Sequence, residues 1–373
     1  MTSLLVEAAE RWATPLYVTD LDAAAANARS WTDALPGAIV AYAVKANPDP
    51  ALLRRLASEG LGFEVVGPIE LALALRAGAS PERIVVNGIG QTDADLADAL
   101  ATGALVNAES IGALRVLLSA AEGRIGLRVN PALDAGAHPH LATGEASAKF
   151  GIALDELPEA LGMLGGRRLA SIGAHIGSDI GQVEPFGRLA ELLARLAAES
   201  GAERVDLGGG YEGSPAAYAA AIGPSLPDAA RLIVEPGRSV VADAGWLLTR
   251  VVRVQPRGHL VADAGMTELI RPMLYGARHP VTLLAPGARV GERPWTLSGP
   301  ICEAGDILAQ GVELGAEVGE GALLAIGHAG AYGLAMVSGY NGRLRPAQAV
   351  IEDGGVRLSR RRETLDDVIA RDA

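Results

Sequence analysis

Lysine is almost missing from this chain. Of its 32 basic residues only Lys45 and Lys149 are lysines, which leaves 30 arginines among 373 residues. Cysteine is scarcer still: Cys302 stands alone, so no internal disulfide and no cysteine-based zinc site is available, and no metal is expected. Aromatic residues make up 4% of the sequence, and no run of about 18 apolar residues exists that would cross a bilayer. Nor is any basic stretch long enough to follow a phosphate backbone, and 44 acidic residues bring the net charge to −12. Nucleic acid and membrane are therefore not expected as partners. Residues 1–12 lack the basic start and apolar run of a secretion signal, so the expected location is the cytoplasm.

The two lysines stand out against this background. A GC-rich genome accounts for the general replacement of lysine by arginine, but not for the survivors. Arginine keeps its proton in proteins and cannot attack a carbonyl as a free amine, whereas lysine can form a Schiff base. Each lysine is thus a candidate for amine chemistry.

Between residues 37 and 240 short β-branched runs alternate with longer Ala/Leu/Arg segments. The runs lie at 38–44, 61–66, 83–87, 104–108, 124–130, 170–176, 204–208 and 231–235. In the helix expected over 183–199, Phe186, Leu189, Leu192, Leu193 and Leu196 share one face. Eight βα units predict an α/β protein with a closed (β/α)8 barrel. After residue 243 strand-like runs joined by Gly/Pro turns predict a β-rich domain, completed by an N-terminal strand at 15–20. The expected division is a barrel over 30–242 and a β-rich domain from 1–29 and 243–373.

Barrel enzymes gather their chemistry at the C-terminal ends of the strands. Those ends carry Lys45, Glu64, Asn87, Asn130, His175, the run Gly208-Gly209-Gly210, and Glu235 followed by Gly237-Arg238. An amine, a glycine turn and a carboxylate match the needs of pyridoxal phosphate. Lys45 would hold its aldehyde, Glu235 would keep its ring nitrogen protonated, and the glycine backbone would approach its phosphate. His175 would lie against the ring. A rival reading takes Gly208, Gly210 and Gly213 as a G-x-G-x-x-G dinucleotide fingerprint, the mark of a nicotinamide enzyme. Against it, the motif falls in the seventh βα unit, and no acid follows at the distance that pattern needs.

Several segments together resemble the fold-type III pyridoxal phosphate decarboxylases, which pair an alanine-racemase-like barrel with a C-terminal β-domain. They are A-V-K-A-N (43–47), H-I-G-S (175–178), D-L-G-G-G (206–210) and E-P-G-R-S (235–239). H-P-H-L-A-T-G (138–144), K-F-G (149–151), D-A-G-M-T-E-L-I-R-P-M-L-Y (263–275), G-P-I-C-E-A-G-D (299–306), G-A-Y-G (330–333) and Y-N-G-R (340–343) look like the diaminopimelate decarboxylases among them.

The resemblance implies that Lys45, His175, Ser178, Gly208, Gly209, Gly210, Glu235, Gly237, Arg238 and Tyr332 meet the cofactor. It implies that Arg238, Arg271 and Tyr275 grip the substrate's far carboxylate, that Glu303 meets its distal ammonium, with Tyr332 alongside, and that Cys302 reaches the reacting carbon. The Cys302-Glu303 pair would cross from a second subunit, which implies a homodimer with shared active sites. The implied reaction converts meso-2,6-diaminopimelate to L-lysine and CO2, in lysine biosynthesis. A related decarboxylase of ornithine, lysine, arginine or a specialised substrate is the alternative, as is a non-catalytic homologue that binds the cofactor. Glu235 speaks against a racemase, which avoids a carboxylate on the ring nitrogen. The chain departs from the family pattern at Glu64-Val65-Val66-Gly67-Pro68-Ile69-Glu70, Gln91, Asp179 and Tyr211-Glu212, departures that bear on substrate more than on cofactor.

Overall fold

The computed structural model describes every residue except 121, 137–142, 146, 286–289, 316, 317, 371 and 373. The first five residues of the 138–144 motif therefore lie outside the described residues. The chain separates into two compact units, Ala25–Val240 and Met1–Ala24 with Val241–Ala373. Strand β1 (Leu16–Asp20) belongs to the second of these.

The first unit is a closed barrel of eight parallel strands, as the alternation of elements predicts. Its strands are β2 (Ile39–Ala43), β3 (Gly62–Val65), β4 (Ile84–Val86), β5 (Leu105–Ala108), β6 (Arg124–Arg128), β7 (Ser171–Gly173), β8 (Arg204–Asp206) and β9 (Leu232–Val234). Each pairs in register with its neighbour, and β2 closes on β9 through Ile39 opposite Ile233. Ile39, Ala41, Val85, Leu105, Ala170 and Ile233 pack together in the barrel interior.

Local chemistry starts and stops the surrounding helices. Asp49 caps the helix Pro50–Ser58 by accepting from the Ala51 and Leu52 N–H groups, with proline in the first turn, where no N–H is needed. Thr92 and Asp95 form a reciprocal capping box on Asp93–Ala101. The long helix Glu184–Ser200 buries Phe186, Leu189, Leu193 and Leu196, and ends at Gly201 in the left-handed conformation. Leu192 is only partly buried, at the margin of that face.

The second unit is a mixed nine-stranded sheet. Its later strands are β10 (Gly245–Gln255), β11 (His259–Ala262), β12 (Val281–Leu283), β13 (Val290–Ser298), β14 (Ile307–Gly315), β15 (Leu323–Ile326), β16 (Ala347–Glu352) and β17 (Gly355–Arg360). The main path runs β14-β13-β11-β10-β1-β16-β17, with β15 joining β10 to β12. The predicted N-terminal strand is thus a central one, antiparallel to β10 and parallel to β16. A helix over Thr2–Trp12, which the sequence reading does not anticipate, buries Leu5, Ala8 and Ala9 against Leu16, Val18 and Leu248. Among the described residues no helix is long and apolar enough to cross a membrane.

Candidate active site

The C-terminal ends of the barrel strands surround a cavity of about 480 Å³, within the size range of small-molecule sites. Lys45, Glu64, Asn87, His175, Asp206, Gly208 and Glu235 line it, together with Asn107, Glu109 and Arg128. Period-two alternation along each strand puts the polar residues inward, and the strand ends raise them to the rim.

Lys45 sits on a short 3-10 turn after β2, and its Nζ donates to Glu64 Oε2 on β3. Glu64 is buried, so the ammonium and the carboxylate neutralise one another inside the cavity. Lys149, by contrast, is exposed and does not line the cavity; its Nζ lies 5.4 Å from the Phe150 ring. Of the two lysines, Lys45, which the strand-end reading favours, is the one at the cavity.

A chain of buried amides runs across the barrel from this pair. Asn107 Nδ2 donates to Asn87 Oδ1 at 2.9 Å, which orients the Asn87 amide and turns its Nδ2 toward Glu235 Oε1 at 2.8 Å. The same Nδ2 reaches Glu64 Oε1 at 3.4 Å. Ser171 Oγ in turn donates to Asn107 Oδ1 at 2.9 Å. Gly126 makes room for this layer, since a Cβ there would stand 1.9 Å from Asn107 Oδ1.

Glu235 and Asp206 share a side-chain hydrogen bond in the same layer. Burial and the neighbouring carboxylate push Glu235 well above the usual carboxyl range. Burial likewise pushes Asp206 up to about 6, against the Gly208 N–H that favours its ionised form. Two adjacent carboxyls in a desolvated site cannot both ionise readily, so the pair retains a proton.

His175 follows β7. Its Nδ1 accepts the Gly209 N–H at 3.0 Å, which leaves the ring proton on Nε2. Burial, then the charges of Arg128 and Lys45, hold its pKa well below the ordinary value. The imidazole is a neutral, flat group beside the cavity.

The glycine run after β8 is dictated by close approach. Gly208 and Gly210 have φ of 61° and 101°. A Cβ on Gly209 would lie 2.1 Å from the Glu235 carbonyl oxygen, and one on Gly210 would lie 1.9 Å from that of Gly177. Two of the three N–H groups of this run have acceptors within the protein. Gly208 N–H donates to Asp206 Oδ1 at 2.9 Å and Gly209 N–H to His175, and Gly210 N–H alone has no protein acceptor among the described residues. Gly213, part of the dinucleotide pattern, is required instead by Tyr211, whose hydroxyl would lie 2.1 Å from an added Cβ. A closed barrel with this local packing removes the nicotinamide reading.

Arg238, after β9, forms an ion pair with Glu212, its Nε 3.1 Å from Oε1, and donates through Nη2 to Ser178 Oγ at 3.4 Å. Gly237 lets this turn press against the turn that carries Lys45, an added Cβ falling 3.0 Å from Ala43 Cβ. Tyr211 packs into an aromatic cluster with Trp31, Phe186 and Tyr218. Both departures from the family pattern after the glycine run thus have partners.

In the second unit Arg271 opens the helix Arg271–Tyr275 and is buried, its guanidinium carbon 5.6 Å from the Tyr275 ring and 5.9 Å from that of Tyr332. Cys302 and Glu303 are exposed on a turn organised by buried Asp306, which accepts from Met266 N–H and Ile301 N–H at 2.6 and 2.7 Å. Asn341 Nδ2 donates to Cys302 Sγ at 3.0 Å, and Tyr340 OH to Glu303 Oε1 at 2.7 Å.

The family profile described as "Pyridoxal-dependent decarboxylase, pyridoxal binding domain" matches residues 21–242. The chain belongs to this family. It is 41% identical to the diaminopimelate decarboxylase of Deinococcus radiodurans, with 98% of this chain and 97% of the relative covered. Against that of Pseudomonas aeruginosa the identity is 40%, with 97% and 93% covered. The crystal structure of diaminopimelate decarboxylase from Helicobacter pylori complexed with L-lysine superimposes with a TM-score of 0.92 at 31% identity, covering 98% of each chain.

As a pyridoxal-dependent decarboxylase the enzyme uses pyridoxal phosphate, and the barrel residues fit it. The cavity offers an amine, a neutral planar imidazole, a proton-sharing carboxyl pair and a side-chain-free turn, the groups that cofactor needs. The barrel brings together Lys45, Glu64, Asn87, His175, Gly208 and Glu235 at this cavity, whereas Asn130 is not among its lining residues. It adds Asn107, Glu109, Arg128 and Asp206, which the sequence reading misses. The strand-end rule, applied to the run 104–108, would have found Asn107 and Glu109. Arg128 and Asp206 lie at inward positions shortly before Asn130 and Gly208.

Proposed function

We propose that this decarboxylase acts on meso-2,6-diaminopimelate and yields L-lysine and CO2. The carbon–carboxylate bond breaks, its electron pair stays on the carbon, and a proton takes the place of the lost group. Arg271 carries the reading: a buried guanidinium above two tyrosine rings suits a second carboxylate, which ornithine and lysine lack. The full-length likeness to decarboxylases of that name supports it.

Pyridoxal phosphate, when bound, supplies the electron sink for the breaking bond. Lys45 is the proposed anchoring amine, and Glu64 is placed to take the proton its ammonium must lose. Glu235, aimed by Asn87 and backed by Asp206, holds a proton at the position assigned to the ring nitrogen. His175 offers a neutral face. Ser178, Gly210 and Arg238 are assigned to the cofactor's side of the pocket, with Arg238 also reaching substrate. Arg271, Tyr275 and Tyr332 hold the far end of the substrate, Glu303 its distal ammonium, and Cys302 returns the proton.

The exposure of Cys302 and Glu303 fits their donation to another subunit, so the proposed working form is a homodimer. Its proposed location is the cytoplasm, where a lone thiol stays reduced. Release of CO2 from meso-diaminopimelate, ornithine, lysine and arginine, measured side by side, tests the substrate. Turnover of diaminopimelate alone supports the reading, and turnover confined to ornithine or arginine defeats it. Mixing Lys45→Ala with Cys302→Ala subunits tests the shared site: activity returns only if the two residues serve from different chains.

A further inference from the structure

The opposite end of the barrel carries three arginines that the reaction does not use. Arg124 opens β6 opposite Leu105, a member of the interior core cluster. Arg204 opens β8 opposite Ser171, whose Oγ bonds Asn107 inside the barrel. Partners in register point to the same side of a sheet, so both arginines start from inward positions. Arg83 precedes β4 by one residue and lies two residues before Val85, another member of that cluster. All three are half-buried at the strands' N-terminal ends.

Three cations brought together in a protein of net charge −12 call for compensation. Among the described residues none of the three has a carboxylate within ion-pair distance. Arg124 Nη1 donates to the Glu82 carbonyl at 2.8 Å and Arg204 Nη1 to the Ala230 carbonyl at 2.6 Å. Arg83 makes no side-chain hydrogen bond among the described residues, and its Nε is buried without an acceptor. Burial and then the charge of Arg204 lower the pKa of both Arg83 and Arg124; Glu82 and Glu203 oppose the shift at Arg124, and among the described residues no acid does so at Arg83. Glu82 and Glu203 are exposed nearby, and Glu203 pairs with Arg168 at 3.1 Å instead. Arg231 adds a further cation, spent on the carbonyls of Ala202 and Glu203.

We propose that the N-terminal mouth of the barrel binds a small multivalent oxyanion, phosphate or sulfate, held jointly by Arg83, Arg124 and Arg204. Such an ion accepts from several guanidiniums at once and turns their repulsion into a shared attraction.

Thermal unfolding of the holoenzyme tests this, the holoenzyme being chosen so that the cofactor's own phosphate site does not respond. A ligand that binds only the folded state raises Tm in a saturable way. Phosphate and sulfate should therefore raise Tm above its value in chloride at equal ionic strength, and sulfate should titrate calorimetrically. Arg83→Met should abolish both effects, leave kcat unchanged, and be no less stable than wild type in chloride, because one repelling charge is gone. Arg124→Gln should weaken the anion response independently. Equal Tm in all three salts, or an anion response that survives Arg83→Met, overturns the proposal. An Arg83→Met protein weakened equally in chloride and phosphate also overturns it, since the arginine would then be purely structural.

Discussion

Asn87 Nδ2 stands 2.8 Å from Glu235 Oε1, while Asn107 Nδ2 holds the other end of the Asn87 amide at 2.9 Å. The carboxyl assigned to the ring nitrogen is therefore aimed from across the barrel, and the same amide reaches the partner of Lys45. Asn87 is a positioning residue. Replacing it with alanine removes a hydrogen bond to an ionisable group, worth about 1.5–3 kcal/mol, or roughly a 10- to 100-fold fall in kcat. KM should move much less, and the cofactor's absorption should shift its pH dependence. An unchanged spectrum and kcat would show that Glu235 needs no such guide.

Lys45→Arg should abolish turnover, a fall of at least about a thousandfold, because guanidinium cannot serve as the amine nucleophile. Borohydride treatment of wild-type holoenzyme, followed by peptide mapping, should place the cofactor's label on the peptide containing Lys45 and leave that of Lys149 bare. Label on Lys149 would reverse the assignment.

The carboxyl pair makes the cofactor-free protein sensitive to pH. Asp206 titrates near 3.8 when unfolded and is raised to about 6 when folded, so between those values the native state holds a proton that the unfolded state has released. Stability contributed by that proton is complete below about 3.8 and is lost as pH rises through 6. His175 acts oppositely, its lowered pKa favouring the folded state as pH rises toward 6.5. Urea unfolding of Asp206→Asn should isolate the first effect: the variant's stability should fall less than wild type's across pH 4 to 6. Parallel curves would contradict the pairing.

Arg271→Met should raise KM for diaminopimelate and lower kcat/KM by roughly 100-fold, the loss of a charge-assisted contact of about 3 kcal/mol. Arg271→Lys should recover part of it, since charge returns without the planar fork. Steady-state kinetics on both variants, with circular dichroism to confirm folding, separates a lost substrate contact from a lost fold.

Gly210→Ala should weaken the cofactor before it weakens the barrel. Its Cβ would come within 1.9 Å of the Gly177 carbonyl oxygen at a φ of 101°, so the turn between His175 and Gly210 must move. Equilibrium dialysis of pyridoxal phosphate should show affinity reduced at least about tenfold. Wild-type affinity would mean that the turn tolerates the displacement.

Much of this architecture was open to a reading of the chain. Eight β-branched runs alternating with helical segments translate directly into a barrel, because each parallel strand needs a crossover helix and both of its faces are buried. The strand-end rule found Lys45, Glu64, Asn87, His175 and Glu235 because period-two alternation is local. It was not carried to the run 104–108, where it yields Asn107, and it passed over Arg128, since nothing local in L-R-V separates a cavity residue from an ordinary strand residue. The helix Thr2–Trp12 went unread for a related reason: its burial comes from β1 and β10, the latter more than 200 residues away.

Composition and order determined by themselves that the chain is an α/β barrel with a β-rich companion, and that only two side chains could serve as an amine. Strand-end placement pointed to Lys45, and the fold sets it at the cavity with Lys149 outside. Hydrogen bonds such as Lys45 to Glu64 and Asn87 to Glu235, and the sharing of a proton by Asp206 and Glu235, join residues 19 to 148 positions apart. Such contacts depend on how strands close into a ring, a property of the whole chain that no local stretch encodes.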